Sequence, residues 1–399
     1  MNNQVRVALH TPEPGSGAGR YVYELTRALA SNGWKPTLLA PDNFEYRSHL
    51  SSEARVAFSS LGPRLNESGR GLLSRTLDNL RFLLGSCLAQ CAATRKRQII
   101  HFQFPLHLPF GLVPFVLAKL RGCKIVFTAH DPVPHKWLFP APWNRVERWS
   151  LACIYGLSDR VIVHSAAGLK TVREEFGVAP SKLAVIAHGP FSLPSHVEET
   201  APSDGLRVLL FGALRENKGV HLAIQAVQNL VRQGVPVHLT IAGETPNGKE
   251  ADYWSTCERL LAESSAGIEL KKRYIQDEEI PALLAQSHCM LLPYTAYSSD
   301  SGIAALALSN GKPIVATSSG GLGELLQAAE LGIAIEEPTV AGIQNALGKA
   351  WQAGPEELRR LGRNGADHIL GHCSWAVAAR KTSDLYRSLA APSNQARHA

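Results

Sequence analysis

Short apolar runs alternate with helical patterns along nearly the whole chain, and this alternation limits the possible folds more than any other feature. In the first half the runs are "VRVALH" (5–10), "KPTLLA" (35–40), "QIIHFQ" (98–103), "KIVFTA" (124–129), "RVIVHS" (160–165) and "KLAVIA" (182–187). The second half repeats the scheme with "RVLLFG" (207–212), "PVHLTIAG" (236–243), "GIELK" (267–271), "CMLLPY" (289–294), "PIVAT" (313–317) and "GIAI" (332–335). Strands that are apolar throughout must be covered on both faces, which requires parallel sheets with helical crossovers. The chain has 399 residues, too many for one ordinary core. Two doubly wound α/β domains follow: residues 1–190, a polar, proline-bearing linker at 191–206, and residues 207–370. A last helix and tail at 371–399 are expected, with that helix returning to the first domain.

Between the strands, patterns such as "GRYVYELTRALASNG" (19–33) place apolar residues every three or four positions, as a surface helix requires. Residues 41–97 fit least well. Part of them, "LLSRTLDNLRFLLGSCLAQCAATRKR" (72–97), is basic and amphipathic, and reads as a helix with a solvated charged face or as a membrane-contact or acceptor-docking element. Residues 98–118 carry no charge, but three prolines and two histidines suit a buried strand, a loop and a packed helix better than a membrane span.

Composition removes several classes of function. With 45% hydrophobic and 19% charged residues the chain is globular rather than disordered. Seven scattered cysteines without a C-x-x-C argue for a reducing cytoplasm and against a disulfide framework or zinc site. "MNNQVRVALHTPEPG" has no signal-peptide pattern. The net charge of +7 is uneven: residues 1–190 hold 23 Lys/Arg and 12 Asp/Glu, net +11, and the remainder is net −4. A basic first half suits nucleic acid, anionic lipid head groups or a phosphorylated substrate.

In doubly wound sheets ligands bind where strands lead into helices at their carboxyl ends. After the first strand, "TPEPGSGAGR" supplies Gly15, Gly17 and Gly19, which let a backbone approach a phosphate, although this is not the dinucleotide fingerprint G-x-G-x-x-G. "LFGALRENKG" places Arg215 and Lys218 where a helix begins, a locally unfavourable position for cations unless an anion is bound. Ser301 and Gly302, then "SSGG" (318–321), open later helices. "GETPNGKE" (243–250) nearly matches a phosphate loop, but Glu250 replaces the hydroxyl that would hold Mg²⁺. His130 and Asp131 end a strand in an irregular loop and mark a functional position; His164 and His188, also at strand ends, read as structural. There is no H-E-x-x-H, G-x-S-x-G or D-x-D.

In order, these motifs with "VFTAHD", "VIVHS", "VIAHGP", "LLPY" and "NGKPIVATSSGGLGELL" resemble family-4 retaining glycosyltransferases of the GT-B fold, over residues 5–326. The resemblance implies two Rossmann-like domains facing a cleft, with a nucleotide sugar held mainly by the second. It implies that Arg215 and Lys218 grip the donor diphosphate and that His130 lies beside the reacting sugar. Gly17, Gly19, Gly212, Ser301, Gly302, Gly320, Gly321 and Glu324 correspond to donor-binding positions, while Arg20 and Asp131 belong to the acceptor side. No metal and no cofactor beyond the donor are expected, and nucleic acid is not an expected partner.

The departures from the family are specific. Many members carry two glutamates eight residues apart before "GKP"; here those positions are Ser298 and Leu306, and Arg215 sits two residues beyond the commoner placement, Ala213. Glu324 or Asp300 is left to contact the ribose. The implied reaction is sugar transfer to a hydroxyl acceptor with retained configuration, in surface polysaccharide or other glycoconjugate assembly. The acceptor candidates include lipid-linked and phosphorylated molecules, and the expected location is cytoplasmic or on the inner membrane face. A nucleotide-sugar epimerase and a non-catalytic nucleotide-sugar-binding protein are the rival readings.

Overall fold

A computed structural model of the chain describes residues 6–51, 56–62, 72–94, 98–106, 109–134, 137, 139–193, 200–201, 204–245, 250–295 and 301–390. The chain forms two compact units: residues up to Ala187 together with those from Trp375 onward, and residues His188–Ser374.

The first unit is a seven-stranded parallel sheet. Its strands are β1 (Val7–His10), β2 (Thr37–Ala40), β3 (Ala57–Ser60), β4 (Ile99–Phe102), β5 (Lys124–Thr128), β6 (Arg160–Val163) and β7 (Leu183–Val185), in the order β3-β2-β1-β4-β5-β6-β7. Six of them fall within the apolar runs. β3 was not expected, because "AFSS" is half polar; it lies at the sheet edge, where one side escapes burial. The crossovers are α1 (Ser16–Ser31), α2 (Arg47–Ser51), α3 (Leu72–Ala93), α4 (Leu112–Leu120), α5 (Asn144–Leu157) and α6 (Ala166–Phe176).

Alternation along each strand sends successive side chains to opposite faces. Ile100, Phe102, Ile125, Phe127 and Val161 pack with α3, α4, α5 and α6. Leu9, Ile99, Val126 and Ile162 pack instead with α1 and with the chain's last helix, Trp375–Ala390. That helix is clamped by polar contacts as well. Ser383 Oγ accepts from Asn32 Nδ2 and Trp34 Nε1, both at 2.8 Å. His101, fully buried on β4, bonds the Tyr386 hydroxyl through Nδ1 (2.6 Å) and the Thr128 hydroxyl through Nε2 (2.7 Å).

On the outward side of the other helical layer, α3 exposes Leu77, Leu80, Leu84 and Leu88, one stripe at three- and four-residue spacing, beside exposed Arg81. Residues 95–97, the basic end of that segment, lie outside the described residues.

The second unit has strands β8 (Leu206–Phe211), β9 (Val237–Gly243), β10 (Ile268–Lys272), β11 (Cys289–Leu292), β12 (Ile314–Thr317) and β13 (Gly332–Ile335), all parallel, in the order β10-β9-β8-β11-β12-β13. Helices α7 (Val220–Arg232), α8 (Glu250–Glu263), α9 (Ile280–Ala285), α10 (Gly302–Ser309), α11 (Gly320–Ala328) and α12 (Val340–His372) cover it, α12 being interrupted at Gly354–Pro355. The returning helix is α13. Val208, Leu210, Leu239, Ile241, Leu291 and Val315 form one core with α7 and α12. Among the described residues no helix is long and apolar enough to cross a membrane.

Burial holds two first-unit histidines neutral. Loss of solvation lowers His10 to about 4 and His101 to about 3, from 6.5. Below pH 6.5 the unfolded chain takes up protons at these sites while the folded chain does not, so stability present above pH 6.5 is lost on acidification at about 1.4 kcal/mol per pH unit per histidine. We expect the first unit's unfolding midpoint in denaturant to fall steadily from pH 6.5 to 4. A flat profile over that range would show that these rings titrate normally.

Candidate functional site

Both strand orders reverse direction once, between β1 and β4 and between β8 and β11, and the loops leaving the carboxyl ends there diverge to opposite faces. In the second unit the β8 loop makes a single 3₁₀ turn, Glu216–Lys218, with Arg215 at its N-cap, and ends at Gly219. Gly219 has φ +64°, and a Cβ there would fall 2.1 Å from the Pro293 carbonyl oxygen. Only glycine lets the β8 loop lie against the β11 loop this closely. The contact continues through Thr295 N, which donates to Asn217 O at 3.0 Å.

This approach seats Lys218. Its Nζ lies 3.5 Å from the ring centroid of buried Tyr294, a cation–π geometry that fixes the ammonium. The Tyr294 hydroxyl lies 3.3 Å from Ser301 Oγ, which also accepts from Ala304 N and caps α10. Thr317 at the end of β12 donates to Tyr294 O (3.0 Å), tying in the loop that opens α11. Gly320 starts α11 with φ +56°. Lys218 and the N-termini of α7, α10 and α11 therefore gather along three adjacent strands, a positively polarised edge suited to a phosphorylated ligand. The Arg215 side chain is exposed on the same turn.

Other predicted second-unit residues are nearby. Gly212 has φ +117°, and its carbonyl oxygen would be 1.8 Å from a Cβ on Gly243. Gly243 thus serves β8–β9 packing; residues 246–249 of the rejected phosphate loop lie outside the described residues. A Cβ on Gly302 would sit 3.1 Å from the Phe191 ring and 3.4 Å from His188 Cε1. His188, read as structural, therefore adjoins the start of α10. Gly321 is buried in α11, and Glu324 is half-buried one turn later.

In the first unit, Gly15 is the N-cap of α1, and the helix starts three residues earlier than its apolar period suggested. Gly17 and Gly19 are therefore inside the first turn instead of before it. Gly19 N already donates to Gly15 O at 2.9 Å, whereas exposed Gly17 is among the first amides, which have no intrahelical acceptor. Arg20 is half-buried on α1.

His130, past the end of β5, is held on three sides. It stacks on Phe104 at 4.1 Å, meets the Tyr21 ring edge-on at 4.4 Å, and its Nδ1 lies 3.2 Å from His164 Nε2. His164 Nδ1 lies 2.8 Å from Ile186 O. A carbonyl only accepts, so His164 Nδ1 carries the proton. Burial holds His164 below its ordinary value, while the Ile186 bond and the charge of Asp131 pull the other way. The neutral ring must accept at Nε2, and His130 donates from Nδ1. The backbone at Ile186 thereby assigns His130 the tautomer whose lone pair is at Nε2. Asp131 is exposed beside it.

Comparison with known proteins decides the family. The model for Glycosyltransferase Family 4 matches residues 15–189, and that for Glycosyl transferases group 1 matches residues 194–368. The chain joins a Glycosyltransferase Family 4 domain to a Glycosyl transferases group 1 domain, which makes it a glycosyltransferase. A Mycobacterium tuberculosis glycogen synthase is 26% identical, with 93% of this chain and 90% of that one covered. The D-inositol 3-phosphate glycosyltransferase of Arthrobacter sp. is 25% identical over 96% of this chain and 94% of that one. Among solved structures, sucrose-phosphate synthase from Thermosynechococcus elongatus superposes with a TM-score of 0.73 at 18% identity, covering 96% of this chain and 99% of that one. Anabaena HepE in complex with UDP-glucose gives 0.71 at 15% identity, covering 96% and 99%. These similarities establish the GT-B fold.

Against the glycosyltransferase pattern, Leu306 is buried in α10 as part of the core, so an apolar side chain replaces the second glutamate. Ser298 and Asp300 lie outside the described residues. Phe104, Tyr21 and Tyr294 were not singled out from the sequence. Tyr294 carried a signal, as an aromatic closing an apolar strand in "LLPY"; Phe104 was hidden inside an uncharged run.

His164→Leu removes the acceptor for His130 Nδ1–H. We expect a loss of about 1–3 kcal/mol in unfolding free energy, and nitrogen-15 NMR that changes from a single His130 tautomer to a mixture. An unchanged tautomer would break the assigned relay.

Proposed function

We propose that the chain transfers a glycosyl group from a nucleotide sugar to a hydroxyl acceptor, with retained anomeric configuration and without a bound metal. The observation that carries this reading is the gathering of Lys218, Tyr294, Ser301 and three helix N-termini where the strand order of the second unit reverses. Breaking the bond from the anomeric carbon to the diphosphate places growing negative charge on the leaving group. Arg215, Lys218 and the amides at Ser301–Gly302 and Gly320–Gly321 are the groups that would stabilise it. Gly212 leaves room for the donor, and Glu324 serves the ribose or sugar.

From the first unit, His130 meets the reacting sugar, with Gly17 and Gly19 at the distal phosphate or sugar and Arg20 and Asp131 toward the acceptor. The acceptor oxygen bonds the anomeric carbon from the leaving-group side, and its proton passes to the departing phosphate oxygen. Support for the donor class comes from HepE, whose solved complex contains UDP-glucose. The sequence has no D-x-D pair to hold a metal–diphosphate complex. A basic first half favours a phosphorylated or lipid-linked acceptor, as in surface polysaccharide or glycoconjugate assembly at the inner membrane face. Relatives named for glycogen and for inositol 3-phosphate show how widely acceptors vary within such chains.

Arg215→Ala and Lys218→Ala are each expected to lower kcat/KM by about a hundred- to a thousandfold, or about 2.7–4 kcal/mol, with the unfolding transition unchanged. The anomeric proton coupling of the product reads the stereochemistry directly. Normal turnover in either folded variant would exclude the assigned role.

A further inference from the structure

Twelve of the seventeen exposed large apolar side chains among the described residues lie between Leu77 and Trp149. They are not scattered. The α3 stripe is flanked by α4, which exposes Val113, Val116 and Leu120, and then by α5, which exposes Val146 and Trp149. The three helices lie on one face of one sheet, with α4 packed against both neighbours. Leu88, Leu120 and Trp149 are 72%, 81% and 61% exposed. An apolar surface of this extent marks an interaction site.

Charge indicates the partner. Residues 63–149 contain 13 Lys/Arg and 4 Asp/Glu, net +9, which is more than the net charge of the whole chain. Arg145 is exposed on α5, while Arg81 on α3 lies within ion-pair distance of Asp78, and Lys119 and Lys124 within ion-pair distance of Asp159. Exposed indoles at Trp143 and Trp149 suit the boundary between lipid headgroups and acyl chains. The loops holding Phe110, Phe139 and Trp143 leave the carboxyl ends of β4 and β5, so the surface reaches the sheet edge where His130 sits.

We propose that the outer face of α3, α4 and α5 docks on an anionic bilayer, its apolar stripes entering the interface while the surrounding cations meet lipid phosphates. This deepens the reading of a membrane-borne acceptor but does not require sugar transfer.

The test uses the full chain and sedimentation with vesicles of phosphatidylcholine, with or without phosphatidylglycerol. Wild type should bind the anionic vesicles, more weakly at high salt. Leu84→Glu/Leu88→Glu, at exposed positions, should bind at least about tenfold less while retaining the wild-type unfolding transition. Trp149→Ser should also bind less. Arg215→Ala, on the other unit, should bind like wild type, which separates docking from the catalytic assignment. Failure of wild type to bind anionic vesicles at low salt would overturn the proposal, as would equal binding by the double variant. If the double variant instead converts a dimer to a monomer with no vesicle binding in wild type, the face is a contact between copies, and the proposal is also overturned.

Discussion

A parallel sheet requires every crossover helix to begin at the same edge. Each crossover leaves a strand at its carboxyl end and must return to the opposite end before the next strand starts. The central apolar runs of this chain, β1, β4, β11 and β12, are buried on both faces and allow no other arrangement. From that constraint comes a row of helix N-termini along one side of each sheet, with their amides and partial positive charge. The Lys218 turn and the starts of α10 and α11 are three consecutive places in that row. The chain adds the glycines that bring neighbouring loops together and an aromatic face that holds a cation where the partial charges already accumulate.

The first unit uses the same edge differently. His130 is held there by aromatic rings and a hydrogen-bonded partner. The relay ends at a backbone carbonyl, so the ring's protonation pattern is inherited from the main chain at Ile186. The second unit supplies positive potential, and the first supplies a ring whose Nδ1 proton is fixed by its partner.

Twelve of the thirteen described strands were legible from short apolar runs, β10 among them although its "IELKK" is mostly exposed at a sheet edge; β3 was not, because half of "AFSS" is serine. The cations and glycines of the second-unit edge could be named because charge at a helix start is locally anomalous. Their company could not. Tyr294 reaches Lys218 only because Gly219 allows the loops to touch, and Phe104 reaches His130 from the loop that follows β4. Such neighbours depend on strand order, which no local pattern encodes. His164 was read as structural, and its bonds to Ile186 O and His130 depend on that same strand order. The amphipathic pattern of α3 left two readings open, because the pattern alone does not say which of its sides is covered.

Because α13 closes on α1, the first unit is split across the two ends of the sequence, while the second is continuous within it. During synthesis the ribosome finishes the internal unit while the outer one still lacks a wall: the slot for Tyr386 against His101 stays open until the final stretch has emerged. The usual vectorial order, amino-terminal part first, is inverted here. A nascent chain halted shortly after Ser374 would carry a complete carboxyl-side unit and an amino-side sheet still bare on the face that α13 covers.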